Sequence, residues 1–318
     1  MRSIDIHAHH IPQGYIQASK RGEEWHGLKP GEVGVGPRPS WNAERRIADM
    51  NSLGVDVHVV STGSPMYFYD RDAGFTTGLA RACNDEVAQM TKDYPERFSG
   101  LATLPMQDIG ASIAELERCM TGLGMKGAMI DDTVNGESYD EDKFLPFFKA
   151  AEELGAMLLI HQRPGQTVVR ERSTRYHMPN TIGNLVDRTV TFASLVFGGV
   201  MDKFPDLRVC LSHAGGYTCF GIGRMDHGWK VRPEARVNIQ RPPSTYLRNF
   251  YYDCLTHSEE SLRFVIDAVG VDRVVFGTDW PADMAIDWSA SGVLGLESLT
   301  TEEKEAILWK NLEGLLNI

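Results

Sequence analysis

The sequence predicts an α/β protein, a single (β/α)8 TIM barrel with a small insertion after its first strand. Three observations carry that expectation. Short apolar runs of strand length alternate with helical patterns along nearly all of the 318 residues, which is the signature of a parallel sheet wrapped in helices. The length suits one barrel of about 250 residues plus insertions. Finally, several of the apolar runs end in a His or Asp, and the C-terminal ends of the strands are where such a barrel keeps its chemistry.

The elements follow in order. Residues 3–7 form a first strand, and the polar, glycine-rich stretch 12–40 reads as a loop or small insertion near the barrel mouth. Ser40 is placed to cap the next helix, whose apolar face is Ala43, Ile47 and Met50 and which ends at Leu53-Gly54. Strands are then expected at 55–61, 98–104, 125–130, 156–161, 207–213, 250–254 and 273–278. The intervening helices are expected at 76–93, 109–122, 143–154, 184–197 and 217–229. A further helix, capped by Ser258, shows Leu262, Val265, Ile266 and Val269 on one side, and Thr300 with Glu303 is a capping-box signature for the last one. No repeat, low-complexity tract or linker divides residues 1–318, so one domain is expected.

Composition narrows the function. The apolar fraction is 42% and the formal charge −11, which argues against a nucleic-acid or anionic-membrane binder. A small anionic substrate stays open, because local arginines override the net field. Cys83, Cys119, Cys210, Cys219 and Cys254 form no Cys-x-x-Cys pair, and read as reduced thiols of a cytoplasmic protein. No signal-peptide pattern precedes His7 and no apolar stretch reaches membrane-spanning length.

The candidate chemistry lies at the strand ends. In Ile4-Asp5-Ile6-His7-Ala8-His9 the two histidines are at i and i+2, on one face of a strand. His161 ends the fifth strand and Asp279 the eighth. Three imidazoles and a carboxylate suit one divalent ion, Zn2+ first, with Mn2+ and Fe2+ as the other ions such a set holds. One such histidine alone would be an ordinary core residue; four ligand types at C-terminal strand ends point to a metal. His213 ends the sixth strand and reads as general acid/base, with a fifth-ligand role or a role in fixing Asp279 as the alternatives. Asp253, closing the seventh strand, is placed to stand behind a ligand. The fourth strand ends in Asp131-Asp132 with Lys126 at its wrong end, so a second, bridged metal is not expected, and the two aspartates read as solvated loop carboxylates. Arg163, in the loop after the fifth strand, is a candidate anion clamp. Phe68, within Met66-Tyr67-Phe68-Tyr69, is a candidate wall of a flat substrate slot. His10, His26, His58, His227 and His257 lack such placement and read as structural.

Several longer motifs, Trp41-Asn42-Ala43-Glu44-Arg45-Arg46-Ile47, His213-Ala214-Gly215-Gly216 and Gly277-Thr278-Asp279-Trp280, stand beside the His7/His9 stretch. Together they resemble the amidohydrolase superfamily, within it the branch of 2-amino-3-carboxymuconate-6-semialdehyde decarboxylase and related aromatic-acid decarboxylases. The likeness extends over nearly the whole chain, including 100–107 and 197–205. It implies a barrel of the metal-dependent hydrolase type, ligands at His7, His9, His161 and Asp279, and a catalytic His213. It also implies a homodimer in which Arg224 reaches the neighbouring subunit's substrate. This chain departs from the decarboxylase at Gln162-Arg163, where the latter has Pro-Trp, and upstream of Trp41, where only Arg38 matches a second substrate arginine. The expected reaction is non-oxidative decarboxylation of an aromatic or ring-opened unsaturated acid, with an activated water and His213 moving the proton. A hydrolase or hydratase using the same site is the alternative.

Overall fold

A computed structural model describes residues 1–34, 42–285 and 289–318. Ser40, Trp41 and Arg38 lie outside the described residues.

Eight strands run in chain order: β1 (Ile4–His10), β2 (Val57–Thr62), β3 (Phe98–Leu101), β4 (Gly127–Ile130), β5 (Met157–Ile160), β6 (Arg208–Leu211), β7 (Phe250–Asp253) and β8 (Val274–Val275). Each neighbouring pair within the groups β1–β3 and β4–β8 is parallel. Backbone hydrogen bonds join the two groups at both seams. Ala102 N donates to Gly127 O (2.8 Å) and Met129 N to Ala102 O (2.9 Å) at one seam. Ile6 N donates to Phe276 O (3.0 Å) and Asp279 N to His7 O (2.8 Å) at the other. The expected eight-stranded parallel barrel is therefore present. Most strand positions are buried, as expected for strands covered on both faces.

β1 runs on past its expected end to His10, while the other strands are shorter than the apolar runs that announced them. β8 keeps only Val274 and Val275 in the ladder, and the segment to Asp279 continues as irregular chain pinned to β1. The helices outside are α1 (Gln13–Arg21), α2 (Ala43–Leu53), α3 (Ala73–Asp93), α4 (Ile109–Glu117), α5 (Leu145–Glu153), α6 (Asn184–Phe197), α7 (Val200–Lys203), α8 (Thr218–Val231), α9 (Glu259–Val269), α10 (Ala290–Gly295), α11 (Thr301–Glu305) and α12 (Asn311–Leu316). Side-chain caps start several of them. Asp72 accepts from Phe75 N, Asp108 from Ala111 N and Ser258 from Ser261 N, and the Thr300–Glu303 capping box is complete.

Two local expectations change. The cap of α2 is Asn42, whose side chain accepts from Arg45 N (3.1 Å). The 12–40 stretch is not all loop, because it opens with α1. Tyr15 and Ile16 of that helix pack with Ile11, Leu28, Val33 and Met66 in a small satellite core beside the barrel. A nine-residue helix burying only Tyr15, Ile16 and Ala18 leaves too little periodicity to read.

Candidate active site

The site forms where β1, β5, β6 and the end of β8 converge. A register shift in β1 between Asp5 and Ala8 lets that strand bond both β2 and the Phe276–Trp280 segment while His7 and His9 face inward. Their ring centroids are 5.0 Å apart, and His161 lies 4.8 Å from His7 and 4.6 Å from His9. Asp279 Oδ1 lies 3.2 Å from His7 Nε2, 2.9 Å from His9 Nε2 and 3.6 Å from His161 Nε2. One ligand atom from each of the four residues falls within 4.8 Å of every other.

Each imidazole is oriented by its other nitrogen. His7 Nδ1 donates to Asp253 Oδ2 (2.7 Å) and His161 Nδ1 to Gln162 O (3.0 Å). His9 Nδ1 lies 3.1 Å from Ser61 Oγ, whose hydroxyl points to Ala8 O (3.4 Å). With the protons at Nδ1, all three Nε2 lone pairs converge on Asp279, the arrangement seen where outer partners fix metal-bound histidines. His7 Nε2 and His161 Nε2 are buried and form no hydrogen bond. Such orphaned atoms are costly in a protein interior, and a divalent ion shared with His9 and Asp279 satisfies both. The residues present therefore fit one metal ion.

Electrostatics agree. Burial opposes charge on Asp279, yet the neighbouring His7 charge and the imidazoles packed around it hold its carboxyl well below the usual range. Burial alone would push His7 down as well. The Asp279 charge and the bond to Asp253 outweigh it and hold His7 up at about 10. Burial dominates at His9 and at His161, which are pushed down, His161 strongly.

His213 stands beside this group. Its Nε2 is 3.7 Å from Asp279 Oδ2, and burial lowers its pKa against the pull of Asp279. Its turn is demanding. His213, Ala214, Gly215 and Gly216 all have positive φ. A Cβ on Gly216 would sit 2.0 Å from Leu185 O, so only glycine lets the turn dock on α6. Asp253 braces the same turn, its Oδ1 accepting from Ala214 N (2.8 Å). One carboxylate thus orients a ligand and the histidine's loop together.

A cavity of about 630 Å³ opens from His213 and Asp279, with Asn184, Tyr217, Phe220, His257 and Phe264 among its walls. His257, expected to be structural, is thus part of the cavity wall. The three candidate substrate residues are not among its walls. Arg163 lies bidentate on Asp70 (3.0 and 3.3 Å). Phe68 packs in the satellite core, edge-on to Phe75. Arg224 is exposed on α8.

Asp131 and Asp132 are corrected from solvated to buried. Asp131 accepts from Arg163 N (2.9 Å), and Asp132 takes Arg188 and Thr191. Neither joins the ligand group. Among the residues that sequence patterns missed, Asp5 accepts from His7 N (2.9 Å), Thr278 N (3.2 Å) and Thr278 Oγ1 (2.6 Å), tying β1 to the turn before Asp279. Arg46 donates to His9 O (2.8 Å) and Tyr67 to His161 O (3.1 Å). Arg46 belongs to the Trp41 motif, Asp5 to the His7/His9 stretch and Tyr67 to the run beside Phe68, but the roles of all three depend on distant partners.

Comparisons with known proteins agree with this geometry. 2-Amino-3-carboxymuconate-6-semialdehyde decarboxylase of Dictyostelium discoideum is 36% identical over 280 residues, 87% of this chain and 77% of that one. Gamma-resorcylate decarboxylase of Polaromonas sp. is 28% identical over 295 residues, 86% of this chain and 87% of that one. The crystal structure of 5-carboxyvanillate decarboxylase from Sphingomonas paucimobilis superposes with a TM-score of 0.87 at 27% identity, covering 100% of this chain and 99% of that one. The family model described as amidohydrolase matches residues 4–318. From the ligand residues of the first strand to the last helix, this chain belongs to the amidohydrolase family.

Proposed function

We propose that the protein is a metal-dependent, non-oxidative decarboxylase of an aromatic or ring-opened unsaturated carboxylic acid. The observation that carries this is His213 Nε2, 3.7 Å from Asp279 Oδ2, where a cavity with aromatic walls meets the four-residue ligand group. The similar proteins named above support it, each a decarboxylase by name.

His7, His9, His161 and Asp279 would hold the ion, with Zn2+ favoured by the three-imidazole set. When bound there, a divalent ion would supply Lewis-acid charge for the substrate's oxygens. Burial lowers the His213 pKa, which favours its neutral form. That imidazole takes up a proton and delivers it to the carbon that loses its carboxylate, so one proton is consumed as CO2 leaves. Asp279 faces His213 and sets the orientation of its ring. Tyr217, Phe220 and Phe264, exposed along the cavity walls, would flank a flat ring.

For the carboxylate we propose two arginines. Arg224, exposed on α8, would reach a neighbouring subunit's site in a homodimer. Arg163 would exchange its exposed partner Asp70 for substrate, since a surface pair of this kind is worth only about 0–1 kcal/mol. Phe68 would act through the satellite core that buttresses this edge of the barrel. All five cysteines are free and buried, which supports a reducing, cytoplasmic location. Among the described residues no helix is long and apolar enough to cross a membrane.

The test is product analysis. Metal-loaded protein is incubated with hydroxy- and amino-substituted benzoates and muconates, and CO2, ammonia and organic products are measured. Stoichiometric CO2 with the decarboxylated ring is expected. Ammonia, or a hydrated product without CO2, would refute the reading in favour of hydrolysis or hydration.

A further inference from the structure

Arg188 of α6 is wholly buried, and its guanidinium is bonded at one nitrogen only. Nη2 donates to the Asp132 carboxylate and to Gln162 Oε1 (2.6 Å). Nε and Nη1 form no hydrogen bond among the described residues. Asp132 also accepts from Thr191 Oγ1 (2.8 Å) on the next turn of the same helix. A buried ion pair is a weak stabiliser, because desolvating both charges offsets their attraction, and unmatched N–H groups add cost. Stability alone does not account for this arginine, so its contacts matter.

Those contacts lead to the active site on two sides. Asp132 and Gln162 stand just beyond the ends of β4 and β5. Gln162 is also the residue whose carbonyl receives His161 Nδ1 (3.0 Å) and so sets the ring that aims Nε2 at Asp279. On the other side, the Arg188 Cβ abuts Gly216, at 3.0 Å from where a Cβ there would lie. The same stretch of α6 therefore carries the docking surface for the His213 turn.

We infer that Arg188 is a positioning residue: through Gln162 and Asp132 it ties the ends of β4 and β5 to α6, so that the ligand His161 and the proton-carrying His213 are held in one frame. This rests on the metal-site reading above. It also gives Gln162, a departure from the Pro-Trp of the resembling decarboxylase, a buried partner in Arg188.

The test uses Arg188→Met, Arg188→Lys and the double variant Asp132→Asn/Arg188→Met. The double variant removes both members of the pair, so neither Asp132 nor Arg188 is left charged without the other. The readouts are Co2+ affinity, the visible absorption of the cobalt protein and the melting temperature of metal-free protein, none of which requires turnover. The double variant should melt within about 4 °C of wild type, bind Co2+ some 10–100-fold more weakly and show an altered cobalt spectrum. Arg188→Lys, which keeps the charge and part of the grip, should fall between the two. A folded double variant with wild-type cobalt affinity and spectrum overturns the inference. A double variant that fails to fold overturns it too, by making the pair a stability element. Wild-type protein that takes up no Co2+ overturns the metal reading and this inference with it. Cobalt binding without CO2 release in the product assay overturns the proposed reaction alone.

Discussion

Asp253→Asn is the most informative single substitution at the site. The Asp253 carboxylate is wholly buried and fully used: Oδ2 accepts from His7 Nδ1 (2.7 Å), and Oδ1 from Ala214 N (2.8 Å) and Leu255 N (3.2 Å). Burial would raise its pKa, but the bond and charge of His7 lower it, so it is ionised and accepts only. His7 must then carry a proton at Nδ1, which leaves Nε2 to give a lone pair to the metal once its own proton is released. Asparagine has the same shape but one acceptor and one donor group. The two backbone N–H groups hold its oxygen, so its NH2 faces His7 Nδ1. That nitrogen must now accept, and the ring proton moves to Nε2, where it blocks coordination. Losing a charge-assisted bond of about 1.5–3 kcal/mol corresponds to roughly 10–150-fold weaker metal binding at about 1.36 kcal/mol per decade. The assay is competition for Zn2+ or Co2+ against a chromophoric chelator, alongside melting of the metal-free variant. Metal binding within about twofold of wild type would refute the tautomer argument, since a preserved bond energy leaves no such margin.

Three further outcomes are expected. His213→Ala should keep its metal content, because His213 lies outside the ligand group, while turnover falls by at least about 100-fold; near-normal turnover would remove it from proton transfer. In metal-free protein His7 is held up at about 10, while His9 and His161 are pushed down by burial. Metal uptake at pH 8 should therefore release about one proton, and affinity should rise roughly tenfold per pH unit until His7 titrates. Calorimetry in buffers of different ionisation enthalpy reads the proton count, and a count of zero refutes it. Gly216→Ala places a Cβ 2.0 Å from Leu185 O at a φ of +62°, which should cost at least about 2 kcal/mol. Unchanged denaturation would show that the turn can dock without glycine.

The candidate ligand set could be read from the sequence because each member lies in the C-terminal part of a strand or just beyond it, and strand direction in a barrel sends those ends to one mouth. The strand–helix alternation, His7 with His9, His161, His213 and Asp279 all follow from local periodicity plus that rule. The α1 helix in the 12–40 stretch did not, because a short helix with three buried residues carries little pattern. Asp131 and Asp132 misled because a carboxylate pair after a strand looks solvated until Arg188, 56 residues beyond Asp132, buries against it.

The sequence alone therefore determined the fold class, the chemical identity of the ligands and the end of the barrel they occupy, since these depend on residue type and local spacing. Tertiary structure decided which partners orient those ligands, and where Arg163, Phe68 and Arg224 go. The Asp253–His7 bond spans 246 positions and the Thr278–Asp5 bond 273. The end of the seventh strand placed Asp253 behind a ligand, but that the ligand is His7 is decided only once the barrel closes.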